Sequence, residues 1–296
     1  MTGLRRALGA GLAAVLLAAA PALAQDVPSQ DGWVAARQSL VTPDGLRMTY
    51  VEMGDPAGAP LLLVHGYTDN SRSWSLLAPY LDPSRRLIAI DLRGHGGSDA
   101  PACCYGPDSL ARDIAGFMEA KGIARTDVAG HSLGSLAAVT LAALQPDRVR
   151  RLVLISTAIE MPAAPTEWLW ANVPGLPDPI DPDSQFMRDW YWNPNPVPAD
   201  FIDRERAESA ATPRQTWTGV LESLTIMDLG KLAPRVTQPT LILWGDQDSL
   251  FDAASQEAVK AAYPRAEYQT YPGFGHNMFW ETPRTVAERI NAFLAG

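Results

Sequence analysis

Four short runs of the chain are continuously apolar, and each is bounded by charged or turn-forming residues. The runs cover residues 61–64, 87–90, 152–155 and 241–244. Strands buried on both faces have this pattern, which is typical of a parallel sheet covered by helices. Residues 47–52 instead alternate apolar with polar positions, as a half-exposed edge strand does.

Helical periodicity fills the stretches between these runs. The clearest helical stretches are residues 109–119, 133–144, 253–262 and 283–293. Thr282 stands where a capping residue is expected for the last of them, and Pro283 occupies its first position. Strands that alternate with helices in this way predict a doubly wound, mostly parallel α/β domain with right-handed crossovers.

The alternation breaks between residues 157 and 234, in a segment rich in proline, tryptophan and acidic residues. It holds five of the nine tryptophans of the chain, namely Trp168, Trp170, Trp190, Trp192 and Trp217. We interpret this segment as a helical cap inserted into a core formed by residues 25–156 and 235–296. Its rings either line a ligand pocket or only pack the cap's own core. On the first reading, the candidate substrate-binding residues are Trp168, Trp190 and Trp192.

The first 24 residues have the layout of a secretory signal peptide. Two arginines precede an apolar stretch at residues 7–20, and a small-x-small cleavage site ends at Ala24. We therefore expect a secreted or periplasmic protein with no stable membrane association after cleavage. An uncleaved membrane anchor is the alternative, because residues 7–24 approach the minimum length that spans a bilayer.

The formal net charge of −9 argues against binding to nucleic acid or to anionic membrane surfaces. The only two cysteines, Cys103 and Cys104, are neighbours, so they cannot close a long loop. They form either a strained vicinal disulfide or two small thiols. Their spacing does not suit a metal site, and we expect neither a metal nor a cofactor.

Residues 130–134 read G-x-S-x-G between a short strand and the start of a helix. That context is what the nucleophile elbow of a serine hydrolase requires. The serine of such a turn needs very small neighbours, which Gly130 and Gly134 supply. Ser132 is therefore the predicted nucleophile, and the helix start directs backbone N–H groups at the reacting centre.

A serine hydroxyl needs a base to activate it and an acid that orients the base. The elbow arrangement requires the chain order serine, acid, histidine. His276 is the candidate base, because the other three histidines precede Ser132. Asp248 is the candidate acid, with Asp246 as the runner-up and Glu160 as a more remote alternative.

Two backbone donors must stabilise the negative charge that develops on the substrate oxygen. The predicted donors are the N–H groups of Leu133 and Tyr67, and the ring of Tyr67 should then border the acyl pocket. We expect His65 to brace its loop by hydrogen bonding, and His131 to point away from the neighbouring nucleophile. The glycine-rich turn at residues 91–98 lacks the spacing of a dinucleotide-binding loop.

Taken in order, these segments resemble the α/β-hydrolase superfamily over essentially the whole mature chain. The matching segments are residues 65–67 (HGY), 91–98 (DLRGHGGS), 130–134 (GHSLG), 244–248 (WGDQD) and 275–276 (GH). The resemblance implies a largely parallel eight-stranded sheet, a cap after strand six, and Asp248 rather than Asp246 as the acid. A serine nucleophile separates the chain from the capped epoxide hydrolases and haloalkane dehalogenases, which use an aspartate there. In this fold the loop that holds Cys103 runs near the active-site mouth, so we hypothesise that a vicinal disulfide stiffens the pocket wall.

The resulting hypothesis is hydrolysis of a carboxylic ester or lactone, with an apolar or aromatic small molecule as substrate. Aminopeptidase activity is an alternative, because acidic residues of the cap could hold a substrate amine. Those residues are Glu160, Glu167, Asp178, Asp181, Asp183 and Asp189. A carbon–carbon bond hydrolase or haloperoxidase-like variant on the same triad is another alternative, and so is a ligand-binding protein without turnover.

Overall fold

A single eight-stranded sheet forms the centre of the computed structural model, which describes residues 27–296. The strands are β1 (Gln38–Val41), β2 (Arg47–Gly54), β3 (Pro60–Val64), β4 (Arg86–Ile90), β5 (Thr126–His131), β6 (Val149–Ile155), β7 (Thr240–Gly245) and β8 (Glu267–Tyr271). Their order across the sheet is β1-β2-β4-β3-β5-β6-β7-β8, and every pair from β4 onward is parallel. The predicted α/β class with a mostly parallel eight-stranded sheet is confirmed.

The four apolar runs lie in β3, β4, β6 and β7, where all their side chains are buried. The prediction of an edge strand at residues 47–52 was wrong, because β2 lies between β1 and β4 and is antiparallel to both. The edge on this side of the sheet is the short, largely exposed β1, which the sequence pattern did not predict. Two polar side chains of β2 have protein partners: Thr49 donates to Asp91, and Glu52 pairs with Arg86 and Lys121.

Nine α-helices surround the sheet within residues 27–296. They are α1 (Pro107–Ala120), α2 (Leu133–Leu144), α3 (Ala163–Asn172), α4 (Gln185–Trp190), α5 (Ala199–Ala210), α6 (Arg214–Thr225), α7 (Ala253–Ala262), α8 (Met278–Glu281) and α9 (Pro283–Ala295). The four predicted helices are α1, α2, α7 and α9, and α2 and α7 have the predicted bounds. Thr282 precedes α9 as expected, but its hydroxyl bonds that of Thr285 at 3.1 Å and caps no backbone N–H.

Residues 157–234 connect β6 to β7, and we call them the insertion. The insertion contains α3, α4, α5 and α6, and the structure, which describes all of it, shows no strand there. Strands β6 and β7 are parallel neighbours, so the chain leaves the sheet at the carboxyl end of β6 and re-enters it at the amino end of β7. The backbone N–H of Leu229 donates to the carbonyl of Ile159 at 2.9 Å, which joins the two ends of the insertion. The division of the chain into a core and a cap stays a prediction.

The predictions about export and membrane anchoring concern residues 1–24, which lie outside the described residues. Across residues 27–296, no helix is long and apolar enough to cross a membrane. Export therefore stays a prediction that the fold does not address.

Candidate active site

Ser132 is the single residue between the end of β5 and the start of α2. Its backbone has φ 48° and ψ −120°, a strained conformation that persists only where the surrounding fold imposes it. Two glycines permit this turn. A Cβ atom on Gly130 would lie 2.4 Å from the carbonyl oxygen of Gly134, and one on Gly134 would lie 2.2 Å from that of Val64. The structure therefore has the strand-turn-helix context that the G-x-S-x-G pattern predicted.

His276 and Asp248 form a close pair, with Nδ1 of His276 2.8 Å from Oδ2 of Asp248. The side chain of Asp248 is fully buried. Its other oxygen, Oδ1, accepts hydrogen bonds from the backbone N–H groups of Leu250 at 2.8 Å and Phe251 at 3.0 Å. Because an ionised carboxylate can only accept, Nδ1 of His276 carries the proton and Nε2 keeps its lone pair. The pair thus holds the imidazole in the tautomer that a general base needs.

The two alternative acids lie elsewhere. Asp246 is exposed and accepts a hydrogen bond of 2.7 Å from the backbone N–H of Gly273, which is the main cause that lowers the pKa of Asp246. Glu160 is also exposed, near the start of the insertion. Of the three carboxylates considered, the structure brings Asp248 to His276.

Ser132 and His276 line one cavity with a volume of about 390 Å³, which we call the large cavity. Tyr67, in the loop after β3, lines it as well. Within the described part of the chain, the backbone N–H groups of Tyr67 and Leu133 donate no hydrogen bond, so both are available to an oxyanion. The hydroxyl of Tyr67 donates to the carbonyl of Trp217, which fixes this loop against α6.

A second cavity of about 20 Å³, the small cavity, also adjoins Ser132. Tyr67 and Leu133 border it, and apolar side chains close it, among them Leu169 and Leu224 from the insertion. His276 is not part of its wall. A volume of that size holds about one water-sized group, so it accommodates a methyl group and little more.

Three of the five tryptophans of the insertion line the large cavity. They are Trp168, Trp190 and Trp192, the three named as candidate substrate-binding residues. The rings of Trp168 and Trp190 are nearly parallel to each other and to that of Phe186, with interplanar angles of 4 to 9°. Trp217 is fully buried behind this wall, and Trp170 is exposed. The insertion therefore gives the large cavity an aromatic wall.

Sequence reasoning missed several residues of this wall, including Asp69, His131, Tyr191, Asn277 and Trp280. The expectation that His131 points away was wrong, because its ring lies 4.9 Å from that of His276, centroid to centroid, and lines the same cavity. Nε2 of His131 is held 3.2 Å from the carbonyl oxygen of His276, a contact that local sequence does not predict. The one available signal for Asp69 is its place in the loop after a buried strand, where ligands of such sheets bind.

The other histidines of this region are buried. As expected, His65 braces its loop, with Nδ1 2.8 Å from the carbonyl oxygen of Gly66 and Nε2 accepting from the N–H of Leu92 at 3.0 Å. Burial lowers the pKa of His65 and that of His131. Burial, assisted by neighbouring His65, lowers the pKa of His95 to about 3. These three imidazoles are therefore uncharged at neutral pH.

Cys103 and Cys104 are joined by a vicinal disulfide. Both lie in the exposed loop before α1, and neither lines the large or the small cavity. The hypothesis that the disulfide stiffens the pocket wall is corrected accordingly. The next residue, Tyr105, is buried, and its ring lies against Gly219 of α6. Tyr105, together with Gln215 of α6, which donates to the carbonyl of Ala100 at 2.8 Å, links this loop to the insertion; the disulfide does not.

The chain is similar to known proteins along most of its length. Residues 59–283 match the family model described as alpha/beta hydrolase fold. Lipase 3 of Moraxella sp. (strain TA144) is 29% identical over 267 residues, which cover 88% of this chain and 84% of the lipase. The 2-(acetamidomethylene)succinate hydrolase of Mesorhizobium japonicum is 32% identical over 250 residues, covering 80% of this chain and 88% of that enzyme. Among solved structures, a bacterial membrane phospholipase A is 29% identical with a TM-score of 0.76, covering 89% of this chain and 87% of that one.

Proposed function

This chain belongs to the alpha/beta hydrolase fold family, and we propose that it hydrolyses a carboxylic ester or lactone through an acyl-enzyme on Ser132. The observation that carries the proposal is the buried Asp248–His276 pair, 2.8 Å apart, whose histidine shares the large cavity with Ser132. The similarity to a lipase, at 29% identity, supports ester hydrolysis as the reaction class.

In the proposed reaction, Oγ of Ser132 attacks the ester carbonyl while Nε2 of His276 accepts its proton. Asp248 stabilises the imidazolium that forms, and the N–H groups of Tyr67 and Leu133 bind the oxyanion. His276 then protonates the departing alcohol. In the second half of the cycle, His276 takes a proton from water, which attacks the acyl-enzyme and releases the acid.

The two cavities suggest which half of the ester each receives. The leaving alcohol must lie beside His276, which protonates it, and His276 lines only the large cavity. The acyl group therefore occupies the small cavity, whose volume of about 20 Å³ favours an acetyl chain. The aromatic wall of the large cavity suits an alcohol with an apolar or aromatic part.

We also propose that the protein acts outside the cytoplasm, in the periplasm or the medium. The signal-like pattern of residues 1–24 and the vicinal disulfide both support this, since disulfides persist in oxidising compartments. Mass measurement of protein from the periplasm and medium tests it. A chain that begins at Gln25 with no free thiol is expected, and a full-length chain found in the cytoplasm would contradict the proposal.

A panel of p-nitrophenyl esters of increasing acyl length, lactones and aminoacyl amides tests the proposed reaction. We expect p-nitrophenyl acetate to be turned over, and Ser132→Ala to reduce kcat/KM by at least about 10⁴-fold because no other group supplies the nucleophile. Ser255→Ala is the matched control, since its hydroxyl bonds Asp252 at the start of α7 and lines neither cavity.

The same panel, extended with a β-diketone and an assay for peroxide-dependent halogenation, separates the alternatives. Cleavage of aminoacyl amides alone would indicate an aminopeptidase. Turnover of a β-diketone, or peroxide-dependent halogenation, with no ester hydrolysis would indicate the carbon–carbon hydrolase or haloperoxidase variant. Tight binding without any turnover would indicate a ligand-binding protein.

A further inference from the structure

The wall of the large cavity is aromatic and acidic. Six tryptophan and tyrosine residues line it, together with two carboxylates, and within the described chain no lysine or arginine does. The carboxylates belong to Asp69 and Asp189, and the second is the only one of the six acidic residues named above for amine binding that lines the cavity. Aromatic faces and carboxylates both attract cations.

Asp69 is the more deeply placed of the two acids, with 5% of its surface exposed. Its Oδ1 accepts a hydrogen bond of 2.9 Å from the hydroxyl of Tyr191. Its Oδ2 lies 3.7 Å from Nδ1 of His131, which is beyond hydrogen-bond distance. Among the described residues, no group donates a hydrogen bond to Oδ2 of Asp69. This largely buried carboxylate therefore has one oxygen left to accept from a ligand in the large cavity.

Aromatic side chains lie on the same side of the cavity as this carboxylate. The ring of Tyr191, which donates to Asp69, is stacked on that of Trp280, with centroids 6.0 Å apart and planes 10° apart. Nε1 of Trp190 donates to Oγ1 of Thr68, the residue before Asp69, at 3.0 Å. All three rings line the large cavity, so a cation beside Asp69 would face several π surfaces.

In the described part of the chain, no neighbouring cation pairs with Asp69. Burial lowers the pKa of His131, so its imidazole is uncharged at neutral pH. Arg37, which bonds the side chain of Asn70, forms ion pairs with Glu208 at 2.8 Å and with Asp91 at 3.3 Å. The Asp69 charge is therefore not balanced by either of these groups.

The remaining charged groups of this region add no net charge. Arg72 bonds the same Glu208 through Nε at 2.9 Å, so Glu208 and Asp91 together balance the two arginines. Burial, and then the charge of nearby Asp69, raise the pKa of Glu205 well above its ordinary value, so this carboxyl keeps its proton to a higher pH than a solvated glutamate does. Among residues 27–296, Asp69 therefore has no lysine or arginine partner of its own.

We propose that the large cavity selects esters whose alcohol carries an ammonium group, with Asp69 as the counter-ion and the surrounding rings as cation-binding faces. This inference rests on the proposed ester hydrolysis and names its substrate class. The cation belongs to the alcohol rather than the acyl group, because Asp69 and His276 share the large cavity and no carboxylate lines the small one. The acidic protein as a whole, with a net charge of −9, also attracts such substrates from solution.

Acetylcholine and 3,3-dimethylbutyl acetate form a matched pair of probes, because they differ only in the replacement of N⁺ by carbon. We expect kcat/KM to be at least about tenfold higher for acetylcholine, in keeping with a desolvated carboxylate and cation–π contacts. Asp69→Asn keeps the size of the side chain and an acceptor for Tyr191, and should lower this ratio by about tenfold. Asp203→Asn is the matched control, since it removes an exposed charge on α5 outside the cavity and should leave the ratio unchanged.

Equal kcat/KM for the two esters would overturn the inference and leave ester hydrolysis standing. A ratio that survives Asp69→Asn would overturn the role of Asp69. Choline binding to Ser132→Ala, followed by tryptophan fluorescence, gives a readout without turnover. Choline should bind at least about tenfold more tightly than 3,3-dimethylbutan-1-ol, and equal affinity would overturn the inference. Tight choline binding without hydrolysis of any ester would instead overturn the proposed function.

Discussion

Replacement of Asp248 by asparagine tests the tautomer argument directly. Oδ1 of Asp248 accepts from two backbone N–H groups, those of Leu250 and Phe251, and Oδ2 faces Nδ1 of His276. An asparagine must keep its oxygen toward the two backbone donors, because the flipped amide would leave both of them facing an NH₂ group. The NH₂ group then faces Nδ1 of His276 and makes that nitrogen an acceptor. The ring proton moves to Nε2, where it prevents the imidazole from accepting the proton of Ser132.

The expected loss is large for catalysis and small for folding. A histidine in the wrong tautomer reduces kcat by about 10⁴-fold, which corresponds to about 5 kcal/mol of transition-state stabilisation. The free energy of unfolding should fall by only about 1 to 2 kcal/mol, because both backbone donors keep an acceptor. Initial rates with p-nitrophenyl acetate and urea unfolding curves measure the two effects separately.

Asp246→Asn is the matched control, since it makes the same chemical change two residues away at an exposed position. We expect it to retain most of the kcat of the wild type, because Asp246 bonds Gly273 and does not contact His276. A residual kcat above a tenth of the wild-type value in Asp248→Asn would refute the reasoning. An equal loss of kcat in Asp248→Asn and Asp246→Asn would also refute it.

Three further changes probe other parts of the structure. Gly130→Ala places a Cβ 2.4 Å from the carbonyl oxygen of Gly134. We expect the free energy of unfolding to fall by about 2 to 3 kcal/mol and ester hydrolysis to be lost. An unchanged urea midpoint would contradict this expectation. Leu169→Ala should enlarge the small cavity and raise the kcat/KM ratio of hexanoate to acetate esters by about tenfold; a constant ratio would show that the acyl group lies elsewhere. Burial raises the pKa of Glu205 in the folded protein, so this carboxyl ionises first in the unfolded chain, as pH rises above about 4.3. From there the free energy of unfolding of the wild type falls by about 1.4 kcal/mol per pH unit until the folded pKa is reached. Glu205→Gln cannot ionise, so its stability relative to the wild type should increase from pH 5 to pH 7, and parallel pH profiles would rule out this cause.

The parts of the molecule that the sequence predicted are local in nature. Continuous apolar runs located four parallel strands, and α2 begins where the G-x-S-x-G pattern required. Ser132 and His276 could be named because motif and chain order leave no rivals. Asp248 and Asp246 are the same residue type two positions apart, so residue chemistry alone did not separate them. Burial and the two backbone donors, which only the folded chain supplies, distinguish Asp248.

The features that the sequence did not predict depend on contacts between distant segments. The hydroxyl of Tyr191 bonds Asp69, 122 residues earlier in the chain. The ring of His131 contacts the backbone of His276, 145 residues later. The position of β2 inside the sheet depends in the same way on its pairing with β4 and on the short β1 outside it. Local sequence periodicity and motifs do not predict such long-range contacts. The polar residues of the large cavity could therefore be identified only in the structure.

The insertion lies between β6 and β7, and its two ends are adjacent where the N–H of Leu229 donates to the carbonyl of Ile159 at 2.9 Å. A segment whose ends are adjacent can lengthen, shorten or be exchanged in evolution without a change in the register of the sheet. Ser132, Asp248 and His276 all lie outside it, whereas most of the aromatic wall lies within it. One contiguous stretch of the gene can therefore diverge under selection for new substrates while the chemistry is inherited unchanged.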